Sequence, residues 1–245
     1  MRDGLRGGWG ATENHAEMGT DGRQVKSRER VRERGEVFTA EREVKAMCDL
    51  VKNETERIDS TFLEPACGDG NFLIEILRRK LAVVRKMYSR SADDLSFYSV
   101  RALMSLYGVD ILKDNVEACR ERLLDIWRDL ARTRKAQDPH ADADANLERV
   151  ARFVLEKNIL FGNTLSMKLV DDEGKDLDEQ IVFTEWTNPA GRKVKRREFR
   201  LDSLQRNEND TLFAWAEKDN NAFIPVPIRE YPMTDYRELG EDDGR

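Results

Sequence analysis

The run Phe62-Leu63-Glu64-Pro65-Ala66-Cys67-Gly68-Asp69-Gly70-Asn71-Phe72 decides how this chain is read. A short apolar stretch, Thr61-Phe62-Leu63, enters a turn that carries two glycines. A helical pattern follows, with Phe72, Leu73, Ile76, Leu77, Leu81 and Val84 on one side. The order is strand, turn, helix. Glycines at such a turn let the backbone approach a ligand closely, and the helix N-terminus offers unsatisfied N–H groups to something polar or anionic. A tight strand-to-helix turn uses the same glycines for geometry alone, so both readings stand. The dinucleotide fingerprint also requires a third glycine, and that position is Leu73, which disfavours nicotinamide or flavin.

The same alternation continues downstream. Leu106-Tyr107-Gly108-Val109-Asp110 reads as a second strand, followed by a long helix from about Lys113 to Arg134 with Val116, Cys119, Leu123, Ile126, Trp127 and Leu130 inward. QDPHADADAN is a linker, Leu147 to Glu156 another amphipathic helix, and Asn158 to Gly162 a third strand. Upstream, a helix begins near Glu41, with Val44, Met47, Cys48, Leu50 and Val51 as its apolar side and Thr39 as its N-cap. Strands alternating with helices predict an α/β fold. After Val170 the texture changes. DDEGKDLDEQ reads as an acidic loop, Ile181 to Trp186 as a strand, Asn188-Pro189-Ala190-Gly191 as a turn, and Arg192 to Leu201 as the return strand of a β-hairpin. The last forty residues read as mostly irregular. The expected organisation is a disordered, charged leader over 1–30, an α/β domain over 31–170, and a hairpin with an irregular extension over 171–245.

Composition narrows the function classes. The 245 residues carry 42 Lys+Arg against 48 Asp+Glu, a net charge of −6, which argues against indiscriminate coating of nucleic acid. No apolar run is long enough for a membrane span, and the N-terminus lacks the apolar core of a signal peptide. Cys48, Cys67 and Cys119 are odd in number and widely spaced, fitting neither a disulfide framework nor a zinc knuckle, so a reduced cytoplasmic setting is expected. His15 and His140 both lie in polar, loop-like sequence, which disfavours a histidine triad or a histidine metal site, and no metal is expected.

Four pieces of the chain, in order, carry a resemblance: Gly35-Glu36-Val37-Phe38-Thr39, Phe62 to Gly70, Tyr107-Gly108-Val109-Asp110-Ile111, and Ile159-Leu160-Phe161-Gly162-Asn163-Thr164-Leu165. Over about residues 31–165 they resemble the motifs of the S-adenosylmethionine-dependent N6-adenine DNA methyltransferases, nearest to the modification subunits of restriction–modification systems. The resemblance implies a Rossmann-like methyltransferase core and S-adenosylmethionine as cofactor. It assigns Phe38 and Thr39 to the methionine moiety. The loop Glu64, Pro65, Ala66, Cys67, Gly68 and Gly70 would wrap methionine and sugar. Asp110 would hold the ribose hydroxyls, with Ile111 against the adenine ring. Asn163 stands where the family has an aspartate that accepts the cofactor's adenine amine. An amide oxygen can accept the same bond without a full charge. For Asp110 a helix N-cap is the other reading, and for Cys67 it is packing.

The family's target-base motif, Asn/Asp-Pro-Pro-Tyr/Phe, has no counterpart here. Thr187-Asn188-Pro189-Ala190 follows an apolar strand at about the right distance but lacks the second proline and the aromatic, and an ordinary hairpin turn is the favoured reading over a degenerate catalytic loop. Asn188 and Pro189 are therefore the candidate catalytic pair. The sheet is expected to be incomplete, because the chain supplies too few later strands for seven. Arg192, Lys193, Lys195, Arg196, Arg197 and Arg200 form a basic arm that could neutralise DNA phosphates or simply protect a strand edge. Trp186 and Trp215 could stack on bases or be buried. The expected activity is adenine-N6 DNA methylation. One alternative is a subunit that binds cofactor while a partner chain supplies the base-binding loop and target recognition; another is a methyltransferase acting on RNA or protein.

Overall fold

The computed structural model describes residues 39–137, 144–205 and 226–241. The chain divides into two units, Met1–Ala40 and Glu41–Arg245, and the elements below belong to the second. The leader, Phe38, His15, His140 and Trp215 lie outside the described residues.

In chain order the elements are helices α1 (Glu41–Leu50) and α2 (Lys52–Thr55), strand β1 (Phe62–Glu64), helices α3 (Asn71–Tyr88) and α4 (Ala92–Met104), and strand β2 (Leu106–Asp110). Helices α5 (Lys113–Gln137) and α6 (Asp144–Asn158) lead to strands β3 (Ile159–Asn163), β4 (Lys168–Val170) and β5 (Asp176–Gln180). Strands β6 (Val182–Ala190) and β7 (Lys193–Arg200) form a hairpin, and a 3-10 turn covers Leu201–Gln205. Two short strands, β8 (Arg229–Glu230) and β9 (Thr234–Asp235), and a second 3-10 turn, Tyr236–Glu238, complete the described chain. The fold is mixed α/β.

One sheet has the order β1-β2-β3-β4-β5. The first three strands are parallel, with Glu64 opposite Gly108 and Asp110 opposite Phe161, and β4 and β5 continue antiparallel. Parallel neighbours need long crossovers, and the helices α3–α4 and α5–α6 supply them. The carboxyl ends of β1, β2 and β3 therefore share one edge of the sheet, where Glu64, Asp110 and Asn163 stand. A second sheet places β8 and β9 against β7. It is tied to the first by Tyr107, whose hydroxyl donates to the Thr184 carbonyl at 2.7 Å, and to the end of α6 by Trp186, whose indole N–H donates to Asn158 Oδ1 at 2.8 Å.

The core is built from the inward stripes of α3 and α5, with Leu73, Leu77 and Val84 facing Cys119, Leu123 and Trp127 among the buried residues. At the amino-terminal edge of the sheet, fully buried Lys80 donates to the carbonyls of Ile58 (3.2 Å) and Ser60 and to Ser105 Oγ (2.6 Å). It stitches the chain entering β1 to the chain entering β2. No helix of the described residues is long and apolar enough to cross a membrane.

Four sequence expectations are corrected. Helix α4 was not expected. Its Ser96 and Ser99 are buried among apolar residues and satisfied by backbone carbonyls of its own turns, so no polar stripe marks a helical period. The acidic loop contains a strand, β5, whose charged side chains are exposed while its backbone pairs with β4. The hairpin reverses later than expected. Strand β6 runs through Asn188 and Pro189 with a register shift, and the turn falls at Gly191, φ +54°. On α1 only Val44 and Cys48 are buried, because one narrow stripe meets α3; Met47 and Leu50 are exposed, as is Val51 just beyond the helix.

Candidate functional site

The turn after β1 is held by backbone bonds. The Cys67 N–H donates to the Val109 carbonyl at 2.9 Å, hooking the turn onto β2, and the Gly70 N–H returns to the Cys67 carbonyl at 2.9 Å. Gly68 and Gly70 adopt φ of +53° and +91°, in the left-handed region that side chains disfavour. A Cβ on Gly70 would lie 2.5 Å from Cys119 Sγ, and one on Gly108 would lie 2.9 Å from Cys67 Sγ. Gly70 caps α3, and its carbonyl accepts from the Ile74 N–H at 2.8 Å.

Three acidic side chains meet this turn. Asp110 is buried: its Oδ2 accepts the Gly68 N–H at 2.8 Å, while Oδ1 accepts the Leu112 N–H at 2.9 Å and Asn115 Nδ2 at 3.3 Å. A carboxylate offers about four acceptor positions, so about one remains for a ligand. Glu64 has a buried Oε2 with no hydrogen-bond partner, and burial, reinforced by the charges of Asp110 and Asp69, pushes its carboxyl up to about 8. Asp69 presents Oδ2 to Arg122 at 2.6 Å, and its Oδ1 is likewise buried without a partner. Buried unsatisfied oxygens are uncommon in native proteins, and each is a place where a polar partner is wanted; a cationic donor beside Glu64 would also favour release of the proton that burial makes it keep.

The third strand brings its own loop to the same edge. Thr164 Oγ1 donates to the Pro65 carbonyl at 2.7 Å, joining the loops that follow β3 and β1. Asn163 Oδ1 accepts the Leu165 N–H at 3.0 Å and its amide donates to Asp176 Oδ1 at 3.0 Å, leaving one lone pair on the amide oxygen. Met167, at φ +59°, is the non-glycine residue in left-handed conformation in this loop. Leu165 is 95% exposed. Pro65 and Ala66 are exposed and Ile111 half-buried.

The fold thus gathers Glu64, Pro65, Ala66, Cys67, Gly68, Gly70, Asp110, Ile111 and Asn163 at one sheet edge. Thr39 belongs to the first unit. Asn188 and Pro189 lie in the hairpin. Asn188 Oδ1 accepts from Arg101 at 3.1 Å, and its amide donates to the carbonyls of Gly191 (3.1 Å) and Lys193 (2.5 Å), so the side chain is engaged in shaping that turn. Cys67 is buried, and its hydrogen bond with Cys119, together with burial, raises its pKa and keeps it a thiol. Packing accounts for it, and a nucleophile would need the thiolate.

The basic arm is largely neutralised within the fold. Arg192 pairs with Asp93 and Asp94, Lys195 with Glu230 at 2.7 Å, Arg197 with Glu185 at 2.5 Å, and Arg200 with Asp202 at 2.6 Å. Arg196 is buried against the Tyr231 ring, 3.4 Å from its centroid, and pairs with Glu198. Lys193 is exposed.

Sequence reasoning passed over Arg122, Asp69, Thr164 and Gly108. Asp69 stood inside the quoted turn; Arg122 follows Cys119 by three positions on the same face of α5, yet nothing in sequence aims that face at the turn. Among the described residues no group of three or more His, Cys, Asp or Glu side chains is placed to hold a metal ion. Compared with protein-family models, with curated proteins and with solved structures, the chain matches none.

Proposed function

We propose that this chain is the S-adenosylmethionine-binding part of an adenine-N6 DNA methyltransferase, with a Rossmann-like core and a place in restriction–modification. The observation that carries the reading is the set of acceptors at the edge shared by β1, β2 and β3: Glu64 Oε2 and Asp69 Oδ1 without partners beside Asp110 and the Gly68–Gly70 turn. Acidic groups there disfavour a phosphate at the α3 N-terminus and favour a ligand rich in donors. A sulfonium nucleoside carrying an ammonium group, ribose hydroxyls and an adenine amine has that character. Glu64 and Asp69 suit its ammonium end, Asp110 has capacity for a ribose hydroxyl, and Asn163 Oδ1 for the adenine amine. When bound, S-adenosylmethionine would supply an electrophilic methyl group; the chain's own residues would orient it and exclude water.

Isothermal titration of the full chain with S-adenosylmethionine tests the reading. Saturable binding that Gly68→Val abolishes supports it, and a wild-type chain that binds no cofactor sinks it.

A second reading, a subunit that binds cofactor but needs a partner to act, is favoured by the engagement of Asn188 with Arg101, Gly191 and Lys193. A base-binding asparagine needs a free carbonyl oxygen for the target amine. In this reading a partner supplies the base-binding loop and the contacts to DNA, since the basic arm is paired internally. A methyl-transfer assay on bulk DNA with the single chain separates the two.

A further inference from the structure

We infer that Arg122 is a positioning residue that sets Asp69 and the glycine turn for the ligand; the inference rests on the cofactor reading above. A single guanidinium on α5 donates to the Asp69 carbonyl at 2.7 Å and to Asn71 Oδ1 at 2.9 Å, and pairs with Asp69 Oδ2 at 2.6 Å. These contacts fall on either side of Gly70, the residue whose left-handed conformation starts α3. One helical turn earlier, Cys119 lies under Gly70. Helix α5 therefore supports the turn at two adjacent points.

The consequence is directional. Asp69 has two carboxylate oxygens, and Arg122 takes one, which leaves Oδ1 buried and without a partner. Release of that ion pair frees the Asp69 side chain to rotate toward water, and the acceptor leaves the site. An ordinary surface ion pair does little, because solvent screens it and two flexible side chains must be ordered. Arg122 differs in geometry: its planar fork also engages a backbone carbonyl and a side-chain amide, so the pair is held in one arrangement. Lysine offers the charge without the fork.

The test is titration of Arg122→Ala, Arg122→Lys, Asp69→Asn and the Arg122→Ala/Asp69→Asn double variant with S-adenosylmethionine, with Arg152→Ala as a control that removes surface pairs to Glu121 and Glu148. Arg122→Ala is expected to weaken binding about tenfold, and the double variant to be no weaker than either single one, the signature of residues acting through each other. Arg122→Lys should recover part of the loss, and Arg152→Ala should bind as wild type. Hydrogen exchange gives a ligand-free arm: the Gly68 and Gly70 amides should lose protection in Arg122→Ala while the interior of α5 keeps it. Independent, additive losses from Arg122→Ala and Asp69→Asn, or no recovery with lysine, overturn the positioning role. A wild-type chain that binds beside an Arg122→Ala chain that binds equally well overturns this inference alone. A wild-type chain that does not bind overturns the cofactor reading and this inference with it.

Discussion

The backbone amide of Gly68 donates to Asp110 Oδ2 at 2.8 Å, joining the turn after β1 to the last residue of β2 across 42 positions of sequence. The same carboxylate accepts from Leu112 and Asn115. Asp110 is thus a strut that shapes the glycine turn from the neighbouring strand, and the proposed role in holding ribose is added to that one. Asp110→Ala should destabilise the protein by about 3 kcal/mol, because three donors, one of them in a buried bond, lose their acceptor. Asp110→Asn, which keeps one oxygen, should cost less. Denaturant midpoints check this; an Asp110→Ala protein as stable as wild type rules out the strut.

Gly70→Ala puts a methyl group 2.5 Å from Cys119 Sγ at a φ of +91°. Clash and backbone strain together should lower stability by roughly 2–4 kcal/mol. Removing the sulfur in a Gly70→Ala/Cys119→Ala double variant should restore only part, since the φ strain remains. Full restoration would show that the conformation of Gly70 contributes nothing.

Two buried ionisable groups set opposite pH slopes. Glu64 is raised from 4.5 to about 8 by burial, so between those values the folded protein keeps a proton that the unfolded chain has released, and stability falls as pH rises. Lys80 is lowered from 10.5 to about 7 by burial, so between those values the unfolded chain keeps the proton, and stability rises with pH. Their joint contribution has its minimum between about 7 and about 8. Glu64→Gln should remove the falling limb and Lys80→Met the rising one, measured as urea midpoints across pH. Unchanged slopes in both variants would mean that neither group titrates in its window.

The purified chain should bind cofactor and transfer methyl groups to DNA poorly. Asn188→Ala should cost about 1 kcal/mol of stability from lost hairpin hydrogen bonds. Robust adenine methylation that disappears in Asn188→Ala would falsify this and return Asn188 to catalysis.

Charge reversal at Lys195 and Arg197 should break the pairs to Glu230 and Glu185. Solvent screens exposed pairs of this kind, so only a modest loss of hairpin stability is expected. The salt dependence of any DNA binding should stay as in wild type. A flattened salt slope would show that the arm touches phosphates after all.

What the sequence alone determined is local and periodic. Gly68 and Gly70 between an apolar run and a helical stripe specify strand, turn and helix, because backbone freedom and a 3.6-residue period are properties of neighbours in the chain. The inward faces of α3 and α5, the strand ending at Asp110 and, to within one residue, the strand read to end at Gly162 were legible for the same reason. The period failed on α4, where buried serines satisfied by their own helix erase the polar stripe, and on β5, where the pairing edge of β4 makes a strand of acidic residues. Long-range partners had no signature. That Asp110 accepts from Gly68, that Arg122 reaches Asp69, that Thr164 meets Pro65, and that the basic arm is matched by Asp93, Asp94, Glu185 and Glu230 all depend on which elements pack together. Sequence spacing shows which charges are present; only the tertiary structure decides which acids are left without a partner, because that is set by how every other donor in the fold is already engaged.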